Sequence, residues 1–224
     1  TGKRALLVGA RQGVIFASGG FLHNEELTRE YLRGPLLGGA GRDTATGDFV
    51  RIGIEAGARL GNMNNAWWDQ VIVELALRNR ATSGDLYSPA GDSMLMVNKY
   101  GKRVVNEKIP YNERGQIHHV WDPAKWEYPN LLLFMIFDED VMHAPSARFR
   151  WPIPEEGQEL PFFIMSAPDL ASLSKVIADR VASIADRTGG VQLDADFGIN
   201  LEAAIETFDG YAAAGRDLEF CRGD

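Results

Sequence analysis

The pattern of apolar residues changes near the paired tryptophans at positions 67 and 68, and this change constrains the fold more than any other feature. Before it, short apolar runs alternate with glycine-rich turns and amphipathic segments. After it, short apolar runs typical of strands become more frequent. We therefore predict an α+β chain in two parts, in which residues 1–66 are a piece of an α/β domain and residues 67–224 form a mixed α+β domain.

The first part is predicted to contain two strands followed by two helices. Apolar runs at 4–8 and 14–17 predict strands joined by a glycine-containing turn. Asn24 is an N-cap residue followed by two acids, which the helix dipole favours, so we expect a helix over 24–32. Apolar residues spaced by three and four positions predict a second helix over 48–57.

The second part is predicted to combine short strands with two closing helices. A turn sequence at 98–101 indicates that the second and third strands form a hairpin. The closing helices are expected at 171–187 and, with Asn200 as its N-cap, near the end of the chain. Residues 145–161 are rich in proline and predict an exposed loop. The predicted strands are 71–77, 94–98, 103–106 and 131–137.

Charge and cysteine content exclude several classes of function. The formal net charge is −8, which argues against a nucleic-acid partner and gives no support for binding anionic membranes. The longest apolar runs, such as 131–137, are too short to cross a bilayer. Cys221 is the single cysteine, so no internal disulfide can form, and we predict a cytoplasmic protein in which this thiol is packed.

No pattern of metal ligands is present in the sequence. His118 and His119 are neighbours, and adjacent side chains rarely face one ion, so we expect both to be exposed to solvent. Arg148 and Arg150 could hold a carboxylate or phosphate, although a charged loop explains them as well. We therefore predict no metal site.

Ala17-Ser18-Gly19-Gly20 follows the second predicted strand and is a candidate binding segment. Paired glycines allow a ligand to approach the backbone closely, and the next helix would present free N–H groups to an anion. A tight strand-to-helix turn explains the same residues without any ligand.

Thr46-Gly47-Asp48 precedes an amphipathic segment and is a second candidate. The Asp48 carboxylate could accept hydrogen bonds from ribose or ribityl hydroxyls. The same residue could instead be a simple N-cap.

The third candidate segment is the predicted hairpin and the residues after it. A hairpin can direct Arg103, Asn106 and Glu107 from one edge into a cleft, with Tyr111 following a few positions later. A charged hairpin on the surface remains the alternative.

Together, these segments resemble one family in order and approximate spacing, the FAD-dependent oxidoreductases that include fumarate reductase, succinate dehydrogenase flavoprotein and 3-ketosteroid dehydrogenase. Residues 17–21 resemble its A-T-G-G-F segment, and 46–58 resemble T-G-D-G followed by G-x-x-A-G-A. Residues 101–107 resemble G-R-R-F-x-N-E, and 215–223 resemble G-x-D-x-x-F-G-R-G. The resemblance covers nearly the whole chain.

The resemblance implies an FAD domain interrupted by a capping domain, with a small-molecule substrate held between them. It implies that residues 1–66 belong to the FAD-binding domain and residues 67–224 to the cap. It assigns residues 17–20 and 46–48 to the cofactor, and the segment with Arg103, Asn106 and Glu107 to the substrate side.

The resemblance also points to one branch of the family. Where the dicarboxylate branch carries His-Pro and Arg-Gly-Glu-Gly-Gly, this chain has 87–93, Tyr-Ser-Pro-Ala-Gly-Asp-Ser. The ketosteroid branch often has a tyrosine after its Asn-Glu that helps to remove a substrate proton, and Tyr111 stands in that place. An enzyme acting on a bulky apolar ketone is therefore favoured over a reductase of unsaturated acids.

The sequence departs from the family at the flavin site. It contains no G-x-G-x-x-G, because Gly39-Ala40-Gly41 is followed by Arg42-Asp43-Thr44. We therefore expect a piece of a longer enzyme that does not retain FAD by itself. An inactive α+β domain that binds a ligand or a partner is the alternative. A cap without its flavin domain exposes apolar surface, which predicts self-association as a homodimer.

Overall fold

The computed structural model describes residues 5–82, 92–143, 154 and 157–223. Seven α-helices, two strands and two short 3-10 helices occur in these ranges, which is a mixed helix-and-strand architecture. In chain order they are α1 (Glu25–Tyr31), α2 (Asp48–Glu55), α3 (Val73–Arg78), β1 (Met94–Val97), α4 (Tyr111–Gly115), a 3-10 helix (Gln116–His119), β2 (Phe134–Phe137), α5 (Glu139–His143), α6 (Leu170–Ile184), a 3-10 helix (Ala185–Arg187) and α7 (Phe197–Ala214).

The main core forms where the two strands pack on the two longest helices. β1 and β2 are antiparallel, with Met94 opposite Phe137 and Val97 opposite Phe134. β1 is buried on both faces, which explains its continuous apolar sequence. One face packs on α6 and α7, and the other contacts a smaller group that contains Val105. The buried residues of the main cluster are Leu95, Val97, Leu132, Phe134, Ile177, Val181, Phe197 and Leu201.

Local capping signals explain the helices that the sequence predicted correctly. Asn24 caps α1 by accepting a hydrogen bond from the Leu27 N–H, and α2 begins at Asp48 as expected. The predicted helix at 171–187 is confirmed by α6 and the 3-10 turn that continues it. Asp169 caps α6 by accepting from the Ser172 N–H.

The predicted N-cap of the last helix was wrong. α7 begins at Phe197 after Asp196, so Asn200 lies inside its first turn. The Asn200 side chain instead donates to the Tyr100 carbonyl at 2.9 Å. A tertiary contact with the 98–101 turn therefore uses the side chain that the sequence suggested as a cap.

Four predicted strands are absent from the described residues, and one of them is 103–106, where Arg103 alone forms an isolated bridge. The 4–8 and 14–17 runs, described from residue 5 onward, pair with no strand there, and their side chains are largely exposed. The 71–77 run is mostly helical, and an ion pair between Glu74 and Arg180 joins α3 to α6.

The predicted hairpin is present as a turn with one bridge. The Gly101 N–H donates to the Asn98 carbonyl, but only Val97 and Arg103 then pair across the turn. β1 instead pairs along its length with β2. β2 is apolar, as the buried β1 requires, whereas the 103–106 segment begins with the charged Arg103. Most of the predicted proline-rich loop, 145–161, lies outside the described residues.

Among the helices described here, none has both the length and the apolar character that crossing a bilayer requires.

Replacing Gly101 with alanine is expected to destabilise the fold by about 3 kcal/mol or more. Gly101 has φ of +72°, and a Cβ there would lie 2.3 Å from the Phe197 carbonyl oxygen and 2.9 Å from the Leu201 nitrogen. The free energy of unfolding by urea measures the loss.

The matched control is Gly210→Ala in α7, where a Cβ would meet nothing within 4 Å. That change should leave stability equal or raise it by about 0.5–1 kcal/mol, because alanine is the better helix former. Equal stability of the two variants would contradict the packing argument for Gly101.

Candidate functional site

The two predicted cofactor segments lie against each other in the structure. A Cβ built on Gly19 would lie 3.7 Å from the Ala45 Cβ. The His23 N–H donates to the Ala45 carbonyl at 3.1 Å, and the Asn24 side-chain amide donates to the Thr46 carbonyl at 3.0 Å. Segments that are more than twenty residues apart in sequence therefore form one surface.

Gly47 allows this close approach. Its φ of +76° lies in the left-handed region, and a Cβ there would come within 2.6 Å of the Phe21 Cβ. Gly47 is also the N-cap of α2 and supplies no capping side chain. Asp48 is thus the first residue of the helix rather than its N-cap, and it is exposed.

The start of the next helix, α1, is poorly suited to the anion considered for it. Asn24 already accepts the Leu27 N–H, and Glu25 and Glu26 add negative charge in the first turn of α1. This helix start would repel a phosphate. The hydroxyls of Ser18 and Thr46 and the carboxylate of Asp48 are instead suited to the uncharged hydroxyl chain of FAD.

The surface has room for such a group. Ala17, Ser18 and Gly20 are exposed, and a Cβ at Gly20 would meet nothing within 4 Å. The backbone is therefore open to a ligand at this position. These hydroxyl and carboxylate groups would suit the ribityl hydroxyls of FAD rather than its phosphates.

Four charged side chains form a buried ion cluster, which comprises Arg103, Glu107, Asp217 and Arg222. Arg103 donates through Nε and Nη2 to the two Glu107 carboxylate oxygens at 2.8 and 2.9 Å, and its Nη2 lies 2.8 Å from Asp217 Oδ2. Arg222 Nη1 lies 3.2 Å from Glu107 Oε2. The side chains of Arg103, Glu107 and Asp217 are 2%, 0% and 5% exposed, so the two positive and two negative charges compensate within the fold.

The ion cluster keeps its central members charged. Burial alone would raise the pKa of the Asp217 carboxyl, but hydrogen bonds from Arg103 and from the backbone N–H groups of Phe220, Glu219 and Arg222 hold that pKa at about 2. Burial would lower the pKa of Arg103, yet its hydrogen bonds to both carboxylates raise it overall. Arg103 and Asp217 are therefore both charged at neutral pH.

The sequence predicted that Arg103 and Glu107 point from the hairpin into a cleft, and the structure places them differently. The charged groups of Arg103 and Glu107 face each other and the 217–222 segment rather than solvent. Asn106 donates to the Phe220 carbonyl at 3.1 Å, so it also contacts that segment. A role of Arg103, Asn106 and Glu107 in substrate binding stays a prediction.

A second buried polar group begins one helical turn beyond Tyr111. Arg114, which is almost fully buried, donates to the carbonyls of Glu107 and Ile109 at 3.3 and 3.1 Å and to Gln70 Oε1 at 2.5 Å. It therefore fixes the loop that leads into α4. Tyr111 itself is half-buried at the first position of that helix.

His118 continues this polar chain from Gln70 to the 130–131 backbone. Its Nδ1 lies 2.6 Å from the Asn130 carbonyl oxygen and 3.2 Å from that of Leu131, so Nδ1 must carry the proton. Nε2 then accepts from Gln70 Nε2 at 2.9 Å. We call Arg114, Gln70, His118 and Asn130 the polar chain. Its members are scattered in sequence, and no spacing motif could have revealed them.

Several expectations about single residues were wrong. His118 and His119 are half-buried rather than exposed, and burial lowers the pKa of both imidazoles. Cys221 is exposed rather than packed. No cluster of metal-ligating side chains occurs among the described residues, which do not include Arg148 and Arg150.

A cavity of about 940 Å³ lies beside the polar chain, between β2, α6 and the 160–170 segment. Its walls are largely apolar, with Gln70 and His118 among the polar residues that line it. Gly115 and Trp68 also line it, and the Trp68 backbone N–H donates to the Asn112 side chain at 3.0 Å. α4, which begins with Tyr111, therefore borders this cavity.

Comparison with known proteins identifies the family. The family described as FAD binding domain matches residues 1–220. The chain belongs to this family. FAD is thus the cofactor of the family to which these residues belong.

Similar proteins act on cyclic ketones according to their names. The chain is 32% identical over 229 residues to a 3-oxosteroid 1-dehydrogenase of Mycolicibacterium smegmatis, which covers 97% of this chain and 36% of that protein. It is 26% identical to a 4-oxocyclohexanecarboxylate 2-dehydrogenase of Sinomonas cyclohexanicum, covering 96% and 34%.

A solved structure shares this fold. The 3-ketosteroid delta1-dehydrogenase of Sterolibacterium denitrificans, in complex with 1,4-androstadiene-3,17-dione, matches with a TM-score of 0.70 and 25% identity. The match covers 98% of this chain and 37% of that one. The chain therefore spans little more than a third of the length of these relatives.

Removing the central charge of the ion cluster should destabilise the protein by about 3–5 kcal/mol, because Arg103→Met leaves two buried carboxylates, Glu107 and Asp217, with Arg222 as the one remaining cation of the cluster. Urea unfolding measures the loss. The control Arg51→Met breaks an exposed pair with Glu55 and should cost less than about 0.5 kcal/mol. Equal losses in the two variants would contradict a compensated buried cluster.

Stability should also decrease as the pH falls below about 6.5. The pKa of His118 is lower in the folded protein than in the unfolded chain, so the unfolded chain takes up the proton first and is favoured. His119 contributes with the same sign. We expect the His118 imidazole to titrate below pH 6.5 by NMR, and His118→Asn to flatten the pH dependence of unfolding. Titration at or above 6.5 would contradict the buried neutral tautomer.

Proposed function

We propose that this protein forms part of an FAD-dependent dehydrogenase that acts on a bulky apolar ketone of the ketosteroid type. The observation that carries this proposal is the 32% identity to a 3-oxosteroid 1-dehydrogenase across 97% of the chain. Since the chain spans 36% of that relative, the activity belongs to the proposal for the whole enzyme.

The reaction would remove two hydrogens from adjacent carbons. A base takes a proton from the carbon beside the carbonyl, and the neighbouring carbon loses a hydride, which leaves a carbon–carbon double bond. FAD, when bound, supplies the acceptor for that hydride. The roles left to the protein are to bind, to orient, to exclude water and to hold the proton.

Tyr111 is our candidate for the group that takes the proton. Arg114 holds the Ile109 carbonyl, and the Asn112 side chain accepts the Trp68 backbone N–H, so the backbone on either side of Tyr111 is fixed. This anchoring supports a fixed backbone position for Tyr111. Phenols ordinarily have a pKa near 10, so such a base requires a neighbour that stabilises its anion.

The two glycine segments are our candidate for the flavin contact. Ser18, Gly19 and Gly20 would lie along the cofactor with backbone exposed, while the Thr46 hydroxyl and the Asp48 carboxylate would meet ribityl hydroxyls. Residues 1–66 would then be the flavin side and 67–224 the cap. Because G-x-G-x-x-G is absent from these 224 residues, they should bind FAD weakly on their own.

The cavity favours a ketone over a dicarboxylate. Among the described residues that border it, seven are acidic, and the one arginine, Arg180, already pairs with Glu74. Such a border repels anions and suits a neutral ligand. The exposed apolar side chains of Leu7 and Ile15 support the further proposal that the chain self-associates.

Tyr111→Phe in the flavin-loaded enzyme is expected to lower kcat by about 10²–10⁴-fold with little change in KM. Reduction of an artificial electron acceptor with 4-androstene-3,17-dione as substrate measures the rate. Tyr128→Phe is the control, because the Tyr128 ring packs against Trp121 and the change should leave kcat unchanged. Full activity of the Tyr111 variant would remove this residue from the mechanism, and turnover of fumarate alone would favour the unsaturated-acid branch.

A further inference from the structure

The cavity beside the polar chain has the size and walls of a ligand site. Its volume of about 940 Å³ is at the upper end of the usual range for small-molecule sites, roughly 300–1,000 Å³. Apolar side chains from both strands and from the last two long helices line it. They include Leu95, Leu132, Phe134, Ile177 and Phe208.

Gln70 is the polar side chain at this cavity whose orientation is fully determined. Its Oε1 accepts from Arg114 Nε, which has no acceptor capacity, so the oxygen must face Arg114. Its Nε2 must then face His118, where the unprotonated Nε2 of the imidazole accepts a hydrogen bond from one of the two amide N–H groups. The two neighbours thus exclude the flipped amide.

One N–H of Gln70 remains after these bonds are made. A primary amide nitrogen carries two hydrogens, and among the described residues Nε2 has no protein partner apart from His118. Gln70 is only 7% exposed and lines the cavity. A buried donor without an acceptor is costly, so this site is suited to a ligand that brings an acceptor.

We propose that Gln70 is a specificity residue whose second amide N–H binds the carbonyl oxygen of an apolar, uncharged ligand in this cavity. The ligand class follows from the apolar side chains of the walls, which outweigh the polar ones, and from the acidic border, which repels carboxylates. Arg114 and His118 act as positioning residues because they hold the amide in one orientation. The inference that this ligand is the substrate ketone rests on the proposed function, whereas binding by Gln70 does not.

Equilibrium dialysis with 1,4-androstadiene-3,17-dione tests the proposal by binding alone. The wild-type protein should bind this dione, and Gln70→Glu should bind it about tenfold or more weakly, the effect of losing one hydrogen bond. The carboxylate of the Gln70→Glu variant would keep an acceptor for Arg114 but would present no N–H to a carbonyl. Gln116→Glu is the control, because Gln116 bonds to Arg33 at the surface and should leave affinity unchanged.

A second measurement shows that Gln70→Glu alters the intended contact. A carboxylate beside His118 Nε2 favours the protonated imidazole, so the pKa of His118, followed by NMR, should rise in this variant and remain unchanged in Gln116→Glu. Gln70→Met, which has a similar shape and no donor, should weaken dione binding to the same extent while leaving His118 without a new charge beside it.

The outcomes separate this proposal from the proposed function. Equal affinity of the Gln70 variants and the wild-type protein, or no binding by the wild-type protein, would overturn the role of Gln70. Binding that depends on Gln70, together with no oxidation of 4-androstene-3,17-dione by the flavin-loaded enzyme, would support the site and reject the dehydrogenase function.

Discussion

The arrangement of the second part of the chain depends on the bidentate pair between Arg103 and Glu107. Neither side chain has appreciable contact with water, so each charge is tolerable only because the other is present. Asp217 and Arg222 extend the pair and bring the residues after α7 back to β1, where Arg222 also donates to the Met94 carbonyl at 2.6 Å. The contacts of Asp217 and Arg222 with Arg103, Glu107 and the Met94 carbonyl hold the 217–222 segment against β1.

The polar chain fixes side chains beside the cavity, as the ion cluster fixes the 217–222 segment beside β1. The hydrogen bonds among the members of the polar chain hold each side chain in one orientation, and such buried networks specify a unique arrangement of side chains. Arg114 connects the two systems, because it binds the Glu107 carbonyl on one side and Gln70 on the other. The loop that leads into α4 lies between them, so buried groups on both sides set the position at which Tyr111 begins that helix.

The sequence predicted what depends on nearby residues and missed what depends on distant ones. Asn24, Asp48 and the period of the 171–187 segment located helices because caps and amphipathic spacing act within a few positions. The run at 71–77 contains β-branched residues, which favour a strand. Helix α3 forms there instead, and its Glu74 contacts Arg180, which lies 106 positions later in the chain.

The same distinction applies to the candidate site. The glycine segments could be identified because glycine at a left-handed position is a local requirement. The charges of Arg103 and Glu107 suggested a cleft, since nothing near them indicated that Arg222, 115 positions after Glu107, would complete a buried pair. Gln70 and His118 are 48 positions apart and belong to no motif, so their contact could be found only in the folded chain.

The path of the backbone around the ion cluster has a consequence for how this fold can be exchanged between proteins. Arg222 Nη2 donates to the Asp92 carbonyl at 2.6 Å, so the start and finish of the 92–222 stretch lie side by side. A unit whose two stems meet can be inserted into a host scaffold without separating the host's own elements. The 92–222 stretch could therefore be replaced as one module without changing how the rest of the chain is connected.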